Sequence, residues 1–161
     1  EAVAICGSAA KMSPPLRAAS DVKAILAGLA DATIDTIATD HAPHTAREKA
    51  LPLAEAPFGI VGLETAIGLT FTYLVETRVL DLATAVARWT WAPARILGLP
   101  GGSLSPGDPG DVTIIDMEAK WRVDPGDFKS KSTNTPFAGY ELRGRAVATV
   151  VAGRIVYRSE P

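Results

Sequence analysis

The chain has a single cysteine, Cys6, among its 161 residues. One thiol excludes an intrachain disulfide and any zinc module built on cysteine pairs. With no basic neighbour to lower its pKa, Cys6 reads as a small buried hydrophobe and not a nucleophile. Histidine is nearly as scarce, with His41 and His44 the only two, both in one short window. No apolar run approaches the roughly 20 residues that a membrane-spanning helix needs, and no N-terminal stretch has the pattern of a secretory signal. Neither sign of charge dominates: 16 basic residues stand against 18 acidic ones, for a net charge of −2. Without a basic block there is no electrostatic footprint for nucleic acid. The expectation is a cytoplasmic enzyme, or a piece of one, with neither membrane nor nucleic acid as partner.

What is present is an ordinary globular balance, 47% apolar and 21% charged residues. That length and balance suit one domain, or one domain with a small appendage. The two consecutive prolines in Lys11-Met12-Ser13-Pro14-Pro15-Leu16-Arg17 predict an extended stretch. Ser20 then reads as the cap of a helix with Asp21 in its first turn, because Val22, Ile25, Leu26 and Leu29 line one face. The β-branched run Thr33–Thr39 predicts a strand that stops at Asp40-His41-Ala42-Pro43-His44. Residues 45–58 read as a long loop with no period. Helices are predicted from Leu63 to Arg78, after an Asp81 cap, and from the region of Pro93 to a stop at Gly98. Trp89 and Trp91 read as core.

Beyond Leu99 the texture changes to turns rich in Pro and Gly, followed by predicted strands at Asp111–Asp116, Ala146–Val151 and Arg154–Tyr157. Ala152-Gly153 between the last two is a two-residue hairpin signal. Residues 124–144 read as irregular. Residues 1–99 therefore resemble the end of an α/β layer or barrel, and 100–161 a small β appendage. The chain opens on Glu1 without an initiator methionine, and one strand cannot close a barrel. The expectation is a C-terminal piece of a larger fold.

Chemistry in α/β barrels and open sheets gathers just beyond the carboxyl ends of strands. Asp40 falls at such a place, where a carboxylate can ligate a metal or take and return a proton. The plainer reading of an Asp after a strand is a helix cap or turn former. His44, held one stiff turn away by Pro43, can ligate a metal or donate to an anionic substrate; a solvated loop histidine is the plainer reading. Catalytic zinc wants about three protein ligands, which Asp40 and this histidine pair do not supply. Phe58-Gly59 could offer backbone amides to an anion near a helix start, or could be loop packing and a turn glycine. Ser13 could present a hydroxyl or be a turn serine.

Three stretches then carry a resemblance. Thr39-Asp40-His41-Ala42-Pro43-His44-Thr45, with Glu48-Lys49 and Ala56-Pro57-Phe58-Gly59-Ile60-Val61-Gly62-Leu63-Glu64-Thr65, resembles the signature region of the dihydroorotase family of cyclic amidohydrolases. Lys11–Arg17 upstream and Pro93-Ala94-Arg95-Ile96-Leu97-Gly98-Leu99 downstream resemble the same family in the same order.

The resemblance implies a (β/α)8 barrel with a small β-sandwich formed from both chain ends. On that reading 1–99 is the C-terminal segment of the barrel, with its last catalytic strand, and 100–161 is part of the sandwich. It implies zinc-dependent interconversion of N-carbamoyl-L-aspartate and L-dihydroorotate in pyrimidine synthesis, with one or two zinc ions whose ligands mostly lie outside this chain. Asp40 matches the catalytic carboxylate and a zinc ligand. Ser13, His44, Phe58 and Gly59 match substrate contacts, Ser13 standing where the bacterial pattern usually has Asn. His41 is given no direct role. A homo-oligomer is the expected assembly, and aspartate transcarbamoylase an expected partner. Two other readings stay open: a non-catalytic relative that serves as structural partner of aspartate transcarbamoylase, and a hydantoinase or allantoinase type of cyclic amidohydrolase.

Overall fold

A computed structural model describes residues 2–159, in which short α-helices lead into a small sheet. The helices are α1 (Ala2–Cys6), α2 (Ala19–Ala30), α3 (Ala46–Lys49), α4 (Ala66–Thr70), α5 (Leu82–Trp89) and α6 (Trp91–Leu97). The strands are β1 (Val112–Arg122), β2 (Glu141–Val151) and β3 (Arg154–Arg158), hydrogen-bonded in that order. The fold is thus α/β. No helix among the described residues is long and apolar enough to cross a membrane.

The chain divides into two compact units that alternate along it. The first comprises the residues up to Lys23, Thr39–Ala66 and Arg122–Glu141; the second comprises Ala24–Ala38, Ile67–Trp121 and the residues from Leu142 onward.

Apolar burial and end caps organise the second unit. Leu29, Leu80 and Ala85 form its buried cluster, with Ile34, Ile37, Leu74, Val75 and Val79 packed around them. Asp81 starts α5 by accepting from the Thr84 amide at 2.8 Å, and so satisfies one of the orphan donors of the first turn. Gly98 ends α6 in the left-handed conformation that glycine adopts without a Cβ penalty. Ala152 (φ 49°) and Gly153 (φ 74°) both take positive φ, as a type I′ hairpin demands, and Val151 pairs with Arg154 across the turn. The antiparallel register shifts once, between Thr149 and Val150.

Several sequence-based expectations are corrected here. The run Thr33–Thr39 forms no strand, and several of its backbone groups bond partners outside any sheet. Ile34 donates to the Gly28 carbonyl at 2.8 Å, Ile37 donates to the Arg88 carbonyl at 3.1 Å, and the Arg88 guanidinium donates to the Asp35 carbonyl at 3.1 Å. Ser20 is not the cap of α2, which begins at Ala19; the Asp21 carboxylate reaches back to accept from the Ala18 amide at 2.9 Å. The predicted helix from Leu63 to Arg78 contracts to α4 and a π-type turn over Phe71–Val75. Loop 45–58 contains α3, and β1 and β2 are longer than predicted. Trp91 is 48% exposed and Cys6 is half-buried, so neither belongs to the core. Trp89 is half-buried with its indole N–H bonded to the Thr70 hydroxyl at 3.0 Å.

Candidate active site

Asp40, His44, Phe58 and Gly59 all fall in the first unit, on segments that polar side chains tie together. Asp40 is exposed and takes a φ of 46°. That region is costly for most L-residues and least so for Asp and Asn, so this aspartate turns the chain as well as presenting a carboxylate. Just beyond it, His41 makes an isolated parallel bridge with Ile60, and the Ala42 amide donates to the Ile60 carbonyl at 2.8 Å. The backbone of the aspartate turn is thereby registered against the segment after Gly59.

His41 strengthens that register. Its Nδ1 accepts from the Gly62 amide at 3.1 Å, which leaves the proton of a neutral ring on Nε2. Nε2 lies 3.5 Å from the Ser130 hydroxyl, which itself donates to Glu64 Oε1 at 2.6 Å. Burial pushes the Glu64 carboxyl up, but the hydroxyl and amide of Ser130, with His41 nearby, outweigh this and hold it below its ordinary value. Gly62 eases the close packing here, since a Cβ there would stand 3.0 Å from the Thr39 carbonyl oxygen.

The Phe58–Gly59 peptide is held from both sides. His44 Nε2 lies 2.8 Å from the Phe58 carbonyl oxygen, which can only accept, so Nε2 carries the proton. The Gly59 amide donates to the Lys11 carbonyl at 2.9 Å. The backbone amide of Gly59, expected to cradle an anion, is thus engaged within the loop. Gly59 has φ 113°, and a Cβ there would fall 2.4 Å from Ala42 Cβ, so only glycine lets the two segments meet.

Two lysines brace the same loop. Lys49, 7% exposed, points its ammonium at the Pro57 and Gly59 carbonyls at 3.1 and 3.0 Å. Burial, and then the charge of Lys11, hold the Lys49 pKa below its ordinary value. Lys11 Nζ donates to the Ala56 carbonyl at 2.6 Å and sits 4.5 Å from the centre of the exposed Phe58 ring, a cation–π approach. Neither ammonium has a carboxylate within salt-bridge distance among the described residues. Ser13 is exposed two residues beyond Lys11, adjoining a cis Ser13–Pro14 peptide bond. Its segment is brought to Gly59 through Lys11, but no hydrogen bond joins its side chain to His44 or Asp40.

Among the described residues, no group of three or more His, Cys, Asp or Glu side chains could hold a metal ion. Of the two histidines, His41 spends Nδ1 on Gly62, and His44 spends Nε2 on Phe58. Among the described residues, then, Asp40 offers a metal one carboxylate, and no three such side chains come together.

Sequence reasoning missed Asn134, Ser132 and Ser130, and gave no role to Glu64 and Lys49, though both stand in the signature stretches; these side chains tie the loop together. One signal was available: Thr45-Ala46-Arg47-Glu48 has the capping-box spacing. The Thr45 hydroxyl accepts from the Glu48 amide at 3.2 Å, while the Glu48 carboxylate accepts from the Thr45 amide at 2.8 Å. That box starts α3 and delivers Lys49 to the interior. Asn134 lies in the polar 124–144 stretch, where nothing local marks it.

These features can be set beside known proteins. The amidohydrolase family model matches residues 9–157, and the chain belongs to that family. Within it the chain is similar to dihydroorotases. It is 54% identical to the dihydroorotase of Pelotomaculum thermopropionicum over 97% of this chain and 36% of that protein. To the dihydroorotase of Syntrophotalea carbinolica it is 54% identical over 92% of this chain and 35% of that protein. The chain thus spans about a third of the length of the curated relatives it matches. Among solved structures it resembles the L-hydantoinase (dihydropyrimidinase) of Arthrobacter aurescens, with a TM-score of 0.92 and 28% identity over 99% of this chain and 37% of that one. A D-hydantoinase from Thermus sp. follows, with a TM-score of 0.86 and 27% identity over 94% of this chain and 34% of that one.

Proposed function

We propose that this chain is the part of a dihydroorotase that carries the proton-transferring carboxylate and the substrate-facing loop. The observation that supports this best is the His44–Phe58 bond of 2.8 Å, which holds the Phe58–Gly59 peptide against the turn that presents Asp40. A loop braced by two lysines without carboxylate partners favours a substrate bearing carboxylates, as N-carbamoyl-L-aspartate and L-dihydroorotate do.

In hydrolysis, a water oxygen attacks the ring carbonyl carbon and the ring C–N bond breaks. An Asp40 carboxylate oxygen takes a proton from the attacking water and hands it to the departing nitrogen. The reverse transfer serves cyclisation. His44, with Nε2 donated to the Phe58 carbonyl, keeps Nδ1 for the substrate. Ser13 adds a hydroxyl from the neighbouring segment. Zinc would supply carbonyl polarisation and water activation, with Asp40 as one ligand and the other ligands from outside this chain.

Residues 1–99 are read as the C-terminal segment of a (β/α)8 barrel, and 100–161 as a β-rich appendage of a composite sandwich. A cytoplasmic homo-oligomer, with aspartate transcarbamoylase as a partner, goes with that reading. The hydantoinase reading keeps one supporting observation, the TM-score of 0.92 to the Arthrobacter enzyme.

The test is a substrate comparison in a protein that carries this chain at the full length of its relatives. Turnover of L-dihydroorotate well above that of a 5-substituted hydantoin is expected; the opposite preference overturns the proposal. The 161-residue chain alone is expected to show no turnover and no stoichiometric zinc after dialysis.

A further inference from the structure

The side chain of Asn134 joins the two halves of the candidate site, and the functional reading above makes no use of it. Its Nδ2 donates to the Ala42 carbonyl at 3.1 Å and to the Gly59 carbonyl at 3.3 Å. Its Oδ1 accepts from the His44 amide at 3.0 Å and from the Ser132 hydroxyl at 2.7 Å. The Ser132 hydroxyl also lies against the His44 carbonyl. The backbone of Asn134 adds a fifth tie, since its carbonyl accepts from the Val61 amide at 3.0 Å.

An amide side chain has two donors and two acceptor lone pairs, and here all four are used. Its orientation follows from its neighbours. A flipped amide would set a donor against the His44 N–H and its oxygen against two carbonyls, three mismatches in place of three bonds. No other side chain of this size carries that pattern: aspartate has no donor, and leucine has neither donor nor acceptor.

We infer that Asn134 is a positioning residue for substrate binding: it sets the distance between His44 and Gly59 by bonding the His44 amide and the Gly59 carbonyl. The inference rests on the dihydroorotase reading only for the identity of the substrate. None of the hydrogen bonds of Asn134 reaches Asp40, so it acts on binding and not on the proton transfer. Gly59 is held by Lys49 and Phe58 by the His44 ring as well, so the loop itself survives the loss of Asn134 while the distance from Gly59 to the His44 backbone relaxes.

Two readouts test this. In a protein of the relatives' full length, Asn134→Ala is expected to raise KM for L-dihydroorotate about tenfold and to leave kcat within about threefold. In the 161-residue chain, amide hydrogen exchange is expected to speed up about tenfold at His44 in Asn134→Ala. It should stay near the parental rate in Asn134→Asp, which keeps the acceptor. The environment of the Gly59 and Ile60 amides should change in both variants, because both lose the donor to the Gly59 carbonyl. If the parent protein turns over no dihydroorotate, the functional reading fails while the exchange measurement still decides the role of Asn134. A parental KM in Asn134→Ala, parental exchange at His44, or loss of the cooperative fold in both variants overturns the inference.

Discussion

Each of the two units, taken by itself, is organised by different means. In the second, Leu29, Leu80 and Ala85 are buried among apolar neighbours, and stabilisation is spread over many weak contacts. In the loop of the first, the geometry between residues 40 and 62 hangs on a few polar side chains, His41, Lys49 and Asn134, each bonded to backbone. Burial is non-directional, so it fixes compactness more than position. Hydrogen bonds fix position, at the cost that each missing partner leaves another group unsatisfied. The site therefore sits where single residues decide ångström-scale placement, and the apolar unit tolerates more variation.

That contrast predicts effects of different kinds, and the largest separates chemistry from fold. Asp40→Asn, in a protein of the relatives' full length, should lower kcat about 10²–10⁴-fold with an unchanged thermal transition, since the amide keeps the shape and cannot take a proton. A variant with more than about a tenth of parental kcat contradicts the role assigned to Asp40. Next comes Leu80→Ala in the apolar cluster, where Leu80 is 4% exposed. It should cost about 2–5 kcal/mol in urea unfolding and leave substrate affinity untouched.

A smaller effect separates charge from shape in the loop. Glu64 is held below its ordinary value of 4.5, so the unfolded state takes up its proton first as pH falls. The stability it contributes is present above pH 4.5 and is lost as pH drops through the folded value. Glu64→Gln can still accept from Ser130, so it should flatten the acid limb of a pH–stability curve without moving the neutral plateau by more than about 1 kcal/mol. An acid limb as steep as the parent's would mean other carboxylates carry it. The smallest effect is expected for Ser13→Asn, which should leave kcat unchanged and lower KM about two- to tenfold by one added hydrogen bond. A strongly raised KM would mean a pocket shaped around serine and a different substrate.

Local chemistry was legible in the chain wherever a signal spans a few residues. The Asp81 cap, the Gly98 stop and the Ala152-Gly153 hairpin stand where the sequence puts them. The strand expected at Thr33–Thr39 was not, because β propensity describes a fit to neighbouring strands, and here Gly28 and Arg88 take those backbone groups instead. In the site, Asp40, His44 and Phe58-Gly59 could be singled out because they cluster within one motif. Lys49 was within reach of the Thr45–Glu48 capping box. Asn134 was not, since its bond to His44 spans a separation of 90 residues.

By itself, then, the sequence determined which residue types were on hand: one carboxylate at a turn, two histidines, and glycines where backbones must meet. It also determined the caps and turns, whose energies are set within a few bonds of the chain. Only the tertiary structure decided what those residues do with their hydrogen bonds. It spent the Gly59 amide on Lys11, turned His44 Nε2 to Phe58, buried Lys49 among carbonyls and put Asn134 between the two segments. Such pairings depend on which donors and acceptors meet across long separations once water is excluded, and no local pattern encodes them.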